Sequence, residues 1–122
     1  MATDRKELIR QYRESARPMG VGAVRNRVNG KVYLFAGRDL RALLNRNQAQ
    51  LRLNAHPSKA LQADWDSLGR EAFEFEALDT LAASEDAAHD PTDDLRALEA
   101  MWLEKLAPYE PAGYNRRPRA AR

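Results

Sequence analysis

Cysteine is absent from the 122 residues, which excludes structural disulfides and thiolate metal sites and fits a reducing cytoplasm. No apolar run approaches the roughly 18 residues of a membrane helix, and the charged N-terminal stretch lacks the apolar core of a secretory signal. The expectation is a soluble, cytoplasmic chain with no membrane partner. Aromatic residues are sparse, at 7%, and no internal repeat is evident. What is present suffices for one domain, because a chain of this length buries roughly two-thirds of its unfolded surface without metal or disulfide support.

Charge is plentiful but segregated. Residues 1–60 carry 13 Lys/Arg against 4 Asp/Glu, residues 61–110 carry 3 against 14, and four arginines follow, for a net charge of +2. Either a basic face is offered to a polyanion, or the two halves face and neutralise each other.

Asp4 followed by Glu7, with Leu8, Ile9 and Tyr12 beyond, predicts an N-terminal helix that Pro18 ends. The stretch GVGAVRNRVNGKVYLFAG from Gly20 to Gly37 predicts a β-hairpin. Its strands are rich in β-branched and aromatic residues, and Asn29-Gly30 signals a type I′ turn. Asp39 caps a second helix with Leu40, Leu43, Leu44 and Leu51 inward and Arg41, Arg46 and Arg52 outward, ending near Asn54. Pro57-Ser58 opens a third helix with Leu61, Trp65 and Leu68 inward, closed by Gly69. Phe73-Glu74-Phe75-Glu76 alternates with period two, a strand with phenylalanines on the core and acids outward. Asp79 to Asp94 reads as an exposed connecting loop. Pro91-Thr92-Asp93 starts a last helix with Leu95, Leu98, Trp102 and Leu106 on one stripe. The tail Arg116 to Arg122 has nothing to anchor it and reads as disordered.

Glu99 lies about 40° from Leu95 and about 60° from Trp102 around that last helix, at the edge of the apolar stripe. A carboxylate there needs an arginine partner or a cation. His56, before Pro57, is either a helix-entry residue or a ligand. Trp65 and Trp102 sit at core positions.

Gly20-Val21-Gly22 and Tyr33-Leu34-Phe35 resemble the two triplets that open the GIY-YIG nuclease domain. Two of six letters differ: Gly22 stands for the first tyrosine and Phe35 for the second glycine. Leu61-Gln62-Ala63-Asp64-Trp65, the Gly69 ending, Phe73-Glu74-Phe75, Glu99 three residues before Trp102, and Gly113-Tyr114-Asn115 extend the resemblance to the phage-type homing-endonuclease branch, over roughly Gly20 to Asn115.

The resemblance implies an α/β fold with a small antiparallel three-stranded sheet flanked by helices. It also implies an organisation of an N-terminal helical extension (1–19), a nuclease-like domain (20–115) and a basic tail (116–122). It assigns Glu99 to a divalent metal, Mg or Mn in an active enzyme. Tyr33, His56 and Asn115 match catalytic positions, whereas the family's arginine falls on Leu43 and a common histidine on Asn47. Arg41 and Arg46 lie about 160° and about 60° around the helix from residue 43, and Arg46 is the replacement that an active enzyme would use. Arg25, Lys31, Arg41, Arg52, Arg116, Arg117 and Arg119 are the candidate phosphate contacts.

Hydrolysis of a phosphodiester needs a base or activated water and a cation on the developing charge. Loss of the arginine and a tyrosine therefore points to a nucleic-acid-binding protein, DNA being the first candidate, with hydrolysis attenuated or lost. An active metal-dependent endonuclease and a protein-interaction module are the alternatives. The resemblance further places Glu99, Tyr33 and Asn115 together on one concave face near the hairpin, with Leu43 lining it.

Overall fold

The structure, a computed structural model, describes residues 18–82, 86 and 88–118. The helix expected around Asp4 to Tyr12, and Arg119 of the tail, lie outside the described residues. Three strands and three helices follow one another as β1 (Met19–Asn26), β2 (Val32–Gly37), α1 (Leu40–Arg52), α2 (Lys59–Leu68), β3 (Phe73–Leu81) and α3 (Thr92–Leu106). The sheet is antiparallel in the order β2-β1-β3, with the most buried strand central.

The hairpin forms where expected but with a different turn. Only Gly30 has positive φ, at 77°, whereas a type I′ turn needs it at both central residues. Asn26 is the reason. Its side-chain oxygen accepts the Val28 N–H (2.8 Å), and its carbonyl accepts the Gly30 N–H (2.8 Å), closing a longer loop in which Asn29 stays right-handed. At the other end of β1 a bulge sets Val21 opposite Asp79 and Gly22 opposite Ala77. Gly20 is required beside it, since a Cβ there would run into the Asp79 carbonyl.

The helix boundaries follow their caps. Asp39 accepts the Ala42 N–H, Ser58 accepts the Leu61 N–H, and Gly69 leaves α2 at φ 86°. Register divides the sheet into two faces. Val24, Tyr33, Phe35, Phe73 and Phe75 share one, packed with Leu40, Leu51 and Leu61 of α1 and α2. Val21, Ala23 and Leu34 lie on the other, buried where α3 crosses β1 and β2. Trp102 Nε1 donates to Asp79 (3.0 Å) on that second face, so Asp79 to Leu81 belong to β3 rather than to the expected loop. That extension follows from the bulge and the indole bond, neither of which leaves a period-two signature.

A candidate nucleic-acid site along the edge of the sheet

One turn of α1 lies over Tyr33. Asn47 donates from Nδ2 to the Leu43 carbonyl (2.8 Å), which turns its oxygen toward His56 Nε2 at 2.7 Å. The Ser58 N–H donates to His56 Nδ1 at 3.0 Å, so Nδ1 is bare and Nε2 carries the proton that Asn47 accepts. The imidazole is 1% exposed, and burial pushes its pKa down to about 4. His56 is thus neutral with both nitrogens committed, and it meets the Tyr33 ring edge-on at 4.8 Å. Burial raises the Tyr33 phenol, while the Arg46 guanidinium pulls it the other way. Arg46 itself is exposed.

The C-terminal segment runs along the free edge of β2. Tyr114 N–H donates to the Val32 carbonyl (3.0 Å). The Asn115 side chain then acts as a fourth-strand residue, its oxygen accepting the Leu34 N–H and its amide donating to the Leu34 carbonyl, both at 2.9 Å. An amide so occupied holds the strand edge, and this, rather than proton transfer, is what its geometry does. Tyr114 is 1% exposed. Its hydroxyl donates to Asp64 (2.6 Å) and accepts from Asn26 Nδ2 (3.0 Å), so one phenol ties the hairpin turn to α2. Burial, then the Asp64 bond, pushes its pKa up to about 12. Tyr33, Pro57, Ser58, Tyr114, Asn115 and Arg116 line a groove of about 340 Å³ along this edge.

The opposite end of the same sheet face is apolar. Gly22 pairs across strands with Phe35, and a Cβ on Gly22 would come 2.7 Å from the Phe35 ring. Phe35 therefore fills the space above Gly22, and the two differences from the family triplets form one exchanged pair: an aromatic moves from β1 to β2 and a glycine moves back. The aromatic volume survives and the hydroxyl does not. Leu43 presses on Gly37 in the same way, placing hydrocarbon where the resemblance puts a guanidinium.

Tyr33 and Asn115 line the same groove, and the helix that carries Glu99, α3, packs against β1 and β2 on the other face of the sheet. Glu99 is half-buried and has no hydrogen-bond or ion-pair partner among the described residues. No group of three metal-ligating side chains occurs among them either.

Arg25, also expected at phosphate, has a carboxylate partner here. It points to the far face and pairs with Glu76 at 2.8 Å, which spends its charge away from the groove. Lys31 lies 5.9 Å over the Tyr114 ring, and Arg117 lies 6.0 Å over Tyr109. Arg41, Arg46, Arg52 and Arg116 are exposed without an ion-pair partner among the described residues. The residues that sequence reasoning missed, Asn26, Ser58 and Asp64, are polar groups whose importance comes from contacts distant in sequence.

Among the described residues a three-stranded antiparallel sheet carries two helices on one face and one on the other and is edged by a C-terminal strap, an α/β fold that matches that of the GIY-YIG catalytic domain. No family model and no curated protein sequence matches the chain. Among solved structures it is similar to the catalytic domain of the homing endonuclease I-TevI, with a TM-score of 0.66 and 24% identity, covering 82% of this chain and 99% of that one. A glutamate-to-alanine mutant of that intron endonuclease domain matches with a TM-score of 0.64 and 23% identity, covering 80% of this chain and 92% of that one.

Proposed function

We propose that this chain binds nucleic acid through the groove and basic surface beside β2, and that phosphodiester hydrolysis is attenuated or lost. The observation that carries the reading is the apolar filling of Gly22, Phe35 and Leu43 within the fold of a nuclease catalytic domain. Removing one preorganised charge-stabilising group typically costs about a hundred- to thousand-fold in rate, and two polar positions are hydrocarbon or vacant here. Binding is less demanding. Unpaired arginines on α1 and in the C-terminal segment can release counterions from a phosphate backbone whatever the sequence bound.

The resemblance assigns a divalent cation to Glu99, and the residue's chemistry fits one. Glu99 is a half-buried carboxylate without a partner, and Mg²⁺ or Mn²⁺ is commonly held by one carboxylate with water and phosphate oxygens. Such a cation supplies neutralisation of phosphate charge.

The test is cleavage of single-stranded, duplex and branched DNA with Mg²⁺ or Mn²⁺, beside Glu99→Ala. Little or no turnover is expected; robust metal-dependent cleavage abolished by Glu99→Ala would overturn the attenuated reading in favour of an active endonuclease. Binding is tested in parallel: deletion of Arg116 to Arg122 should flatten the slope of log affinity against log salt on duplex DNA by up to about 3.6, at roughly 0.9 per phosphate contact. Absence of binding at low salt would leave a protein-interaction module as the better reading.

A further inference from the structure

The two outer edges of the sheet end differently. Beside β2 the strap of Tyr114 and Asn115 takes up the backbone groups of Val32 and Leu34, whereas β3 pairs with β1 alone among the described residues. The phase of that pairing follows from two contacts. The Arg27 N–H donates to the Ala72 carbonyl (2.8 Å), and on the other side of β1 the Asn26 N–H donates to the Lys31 carbonyl (2.9 Å). An antiparallel ladder alternates residue by residue, so Glu74 and Glu76 commit their backbone groups to β1, and those of Phe73, Phe75 and Ala77 face outward. The Phe73 N–H turns back to the Arg70 carbonyl. The Phe73 carbonyl and both backbone groups of Phe75 and Ala77 have no hydrogen-bond partner among the described residues. The bulge beyond Ala77 ends this regular edge.

Side chains on both faces restrict what can pair there. On one face Phe73 and Phe75, with Trp65 at 5.4 and 6.0 Å between ring centres, adjoin a hollow of about 690 Å³ that Arg27, Arg70 and Glu71 also line. On the other face stand Glu74 and Glu76, each with one arginine of β1 beside it. Glu76 Oε1 makes no hydrogen bond, although Arg25 Nη2 lies 2.8 Å away. A second copy paired over the whole run, Phe75 against Phe75, would set Glu74 opposite Glu76 twice, and like charges directly opposite are destabilising. A phosphate backbone would meet the same carboxylates. An added strand that alternates apolar residues with lysine or arginine meets neither obstacle: its apolar side chains lie beside the phenylalanines and its cations beside the glutamates. We propose that the outer edge of β3 is a docking site for an extended basic peptide, which adds an antiparallel strand to the sheet through the backbone of Phe73, Phe75 and Ala77. The site lies on the edge opposite the strap and is independent of the nucleic-acid reading.

The experiment uses the full chain and an amidated octapeptide of alternating lysine and valine, labelled with a fluorophore at its N-terminus and titrated by anisotropy. Replacing its lysines by glutamate should weaken binding about tenfold, and the double variant Glu74→Gln, Glu76→Gln should remove most of that preference. In antiparallel pairing the valine amides face β3 and the lysine amides face away. Methylating the valine amides should therefore abolish binding, while methylating the lysine amides should change it by less than about threefold. Ala77→Pro deletes an outward N–H and leaves the β1 ladder whole, so it should weaken the peptide at least about tenfold with little change in urea midpoint. Glu76→Pro removes a bond to β1 instead and should lower that midpoint strongly. Binding that survives methylation of the valine amides, or a glutamate peptide that binds as well as the lysine one, overturns the proposal. So does a wild-type dimer in sedimentation that Ala77→Pro dissociates, which gives the edge to a second copy, or loss of single-stranded DNA binding in the same variant, which gives it to nucleic acid.

Discussion

The two ends of one sheet face have diverged in opposite ways. At the Gly22–Phe35–Leu43 end the polar groups implied by the family resemblance are gone and hydrocarbon fills their volume. At the Tyr33–His56–Asn115 end the polar groups remain, yet almost every donor and acceptor is committed to holding β2, α1 and the C-terminal strap together. Side chains that hold architecture are costly to replace whatever the chemistry, because removing one leaves a buried partner unsatisfied. Side chains used only on a ligand carry no such protection. Resemblance at His56 and Asn115 is therefore evidence of the fold, and it says little about turnover.

The largest effects should come from breaking the exchanged pair. Phe35→Gly empties the space over Gly22 and adds a strand glycine, for an expected loss of about 4 kcal/mol. Gly22→Tyr alone drives a second ring into Phe35 and should cost about 3 kcal/mol. The double variant restores one aromatic to the pair and should fall short of the summed losses by about 2 kcal/mol, measured by urea denaturation. Additive losses would mean that the two positions do not share one volume.

Next in size is the polar end. Tyr114→Phe deletes the hydroxyl between Asn26 and Asp64. Asn26 is fully buried, so its amide loses a partner that water cannot easily replace, and about 2 kcal/mol should be lost. The same substitution at Tyr109, which has no hydrogen bond through its hydroxyl among the described residues, should cost far less, and equal losses would dismiss the network as a stabilising unit.

Those two ends also differ in how much of them sequence could reveal. Periodicity and caps located the three strands and three α-helices because Asp39, Ser58, Gly69 and the alternation of Phe73 and Phe75 act within a few residues of chain, whereas the 3-10 turn at Arg70–Ala72 has no such signal. The exchanged pair was visible only as two unrelated differences, since cross-strand register is needed to set Gly22 beside Phe35. The occupation of Asn115 by Leu34, 81 residues away, leaves no local pattern. Which face of the sheet α3 covers is likewise not legible, since helical spacing is the same on either face.

A pH dependence sharpens the comparison further. His56 is held neutral, with a pKa of about 4 against 6.5 for the free side chain. The unfolded chain therefore binds a proton more readily than the folded one between these values. His56 contributes its full stability above about pH 6.5 and loses that contribution as pH falls toward 4. The gap in urea midpoint between wild type and His56→Gln should narrow over that window. A gap that stays constant down to pH 4 would mean that folding does not lower the His56 pKa, contrary to a buried neutral ring bonded to Ser58 and Asn47.

The smallest effect belongs to Arg25, which the charge pattern alone would count among the phosphate contacts. Its side chain is 41% exposed and its partner Glu76 33% exposed, a setting in which an ion pair contributes about 0.5 kcal/mol or less. Arg25→Ala should thus shift the urea midpoint barely at all. The salt slope on duplex DNA should also stay unchanged, because a guanidinium already paired on the far face has no phosphate to release ions from. Arg46→Ala, on the exposed surface of α1, should leave stability equally untouched and still flatten that slope. A lowered slope in Arg25→Ala would place the nucleic acid across the α3 face instead, beside Glu99, and would move the binding surface to the side of the sheet that carries most of the acidic residues of β3.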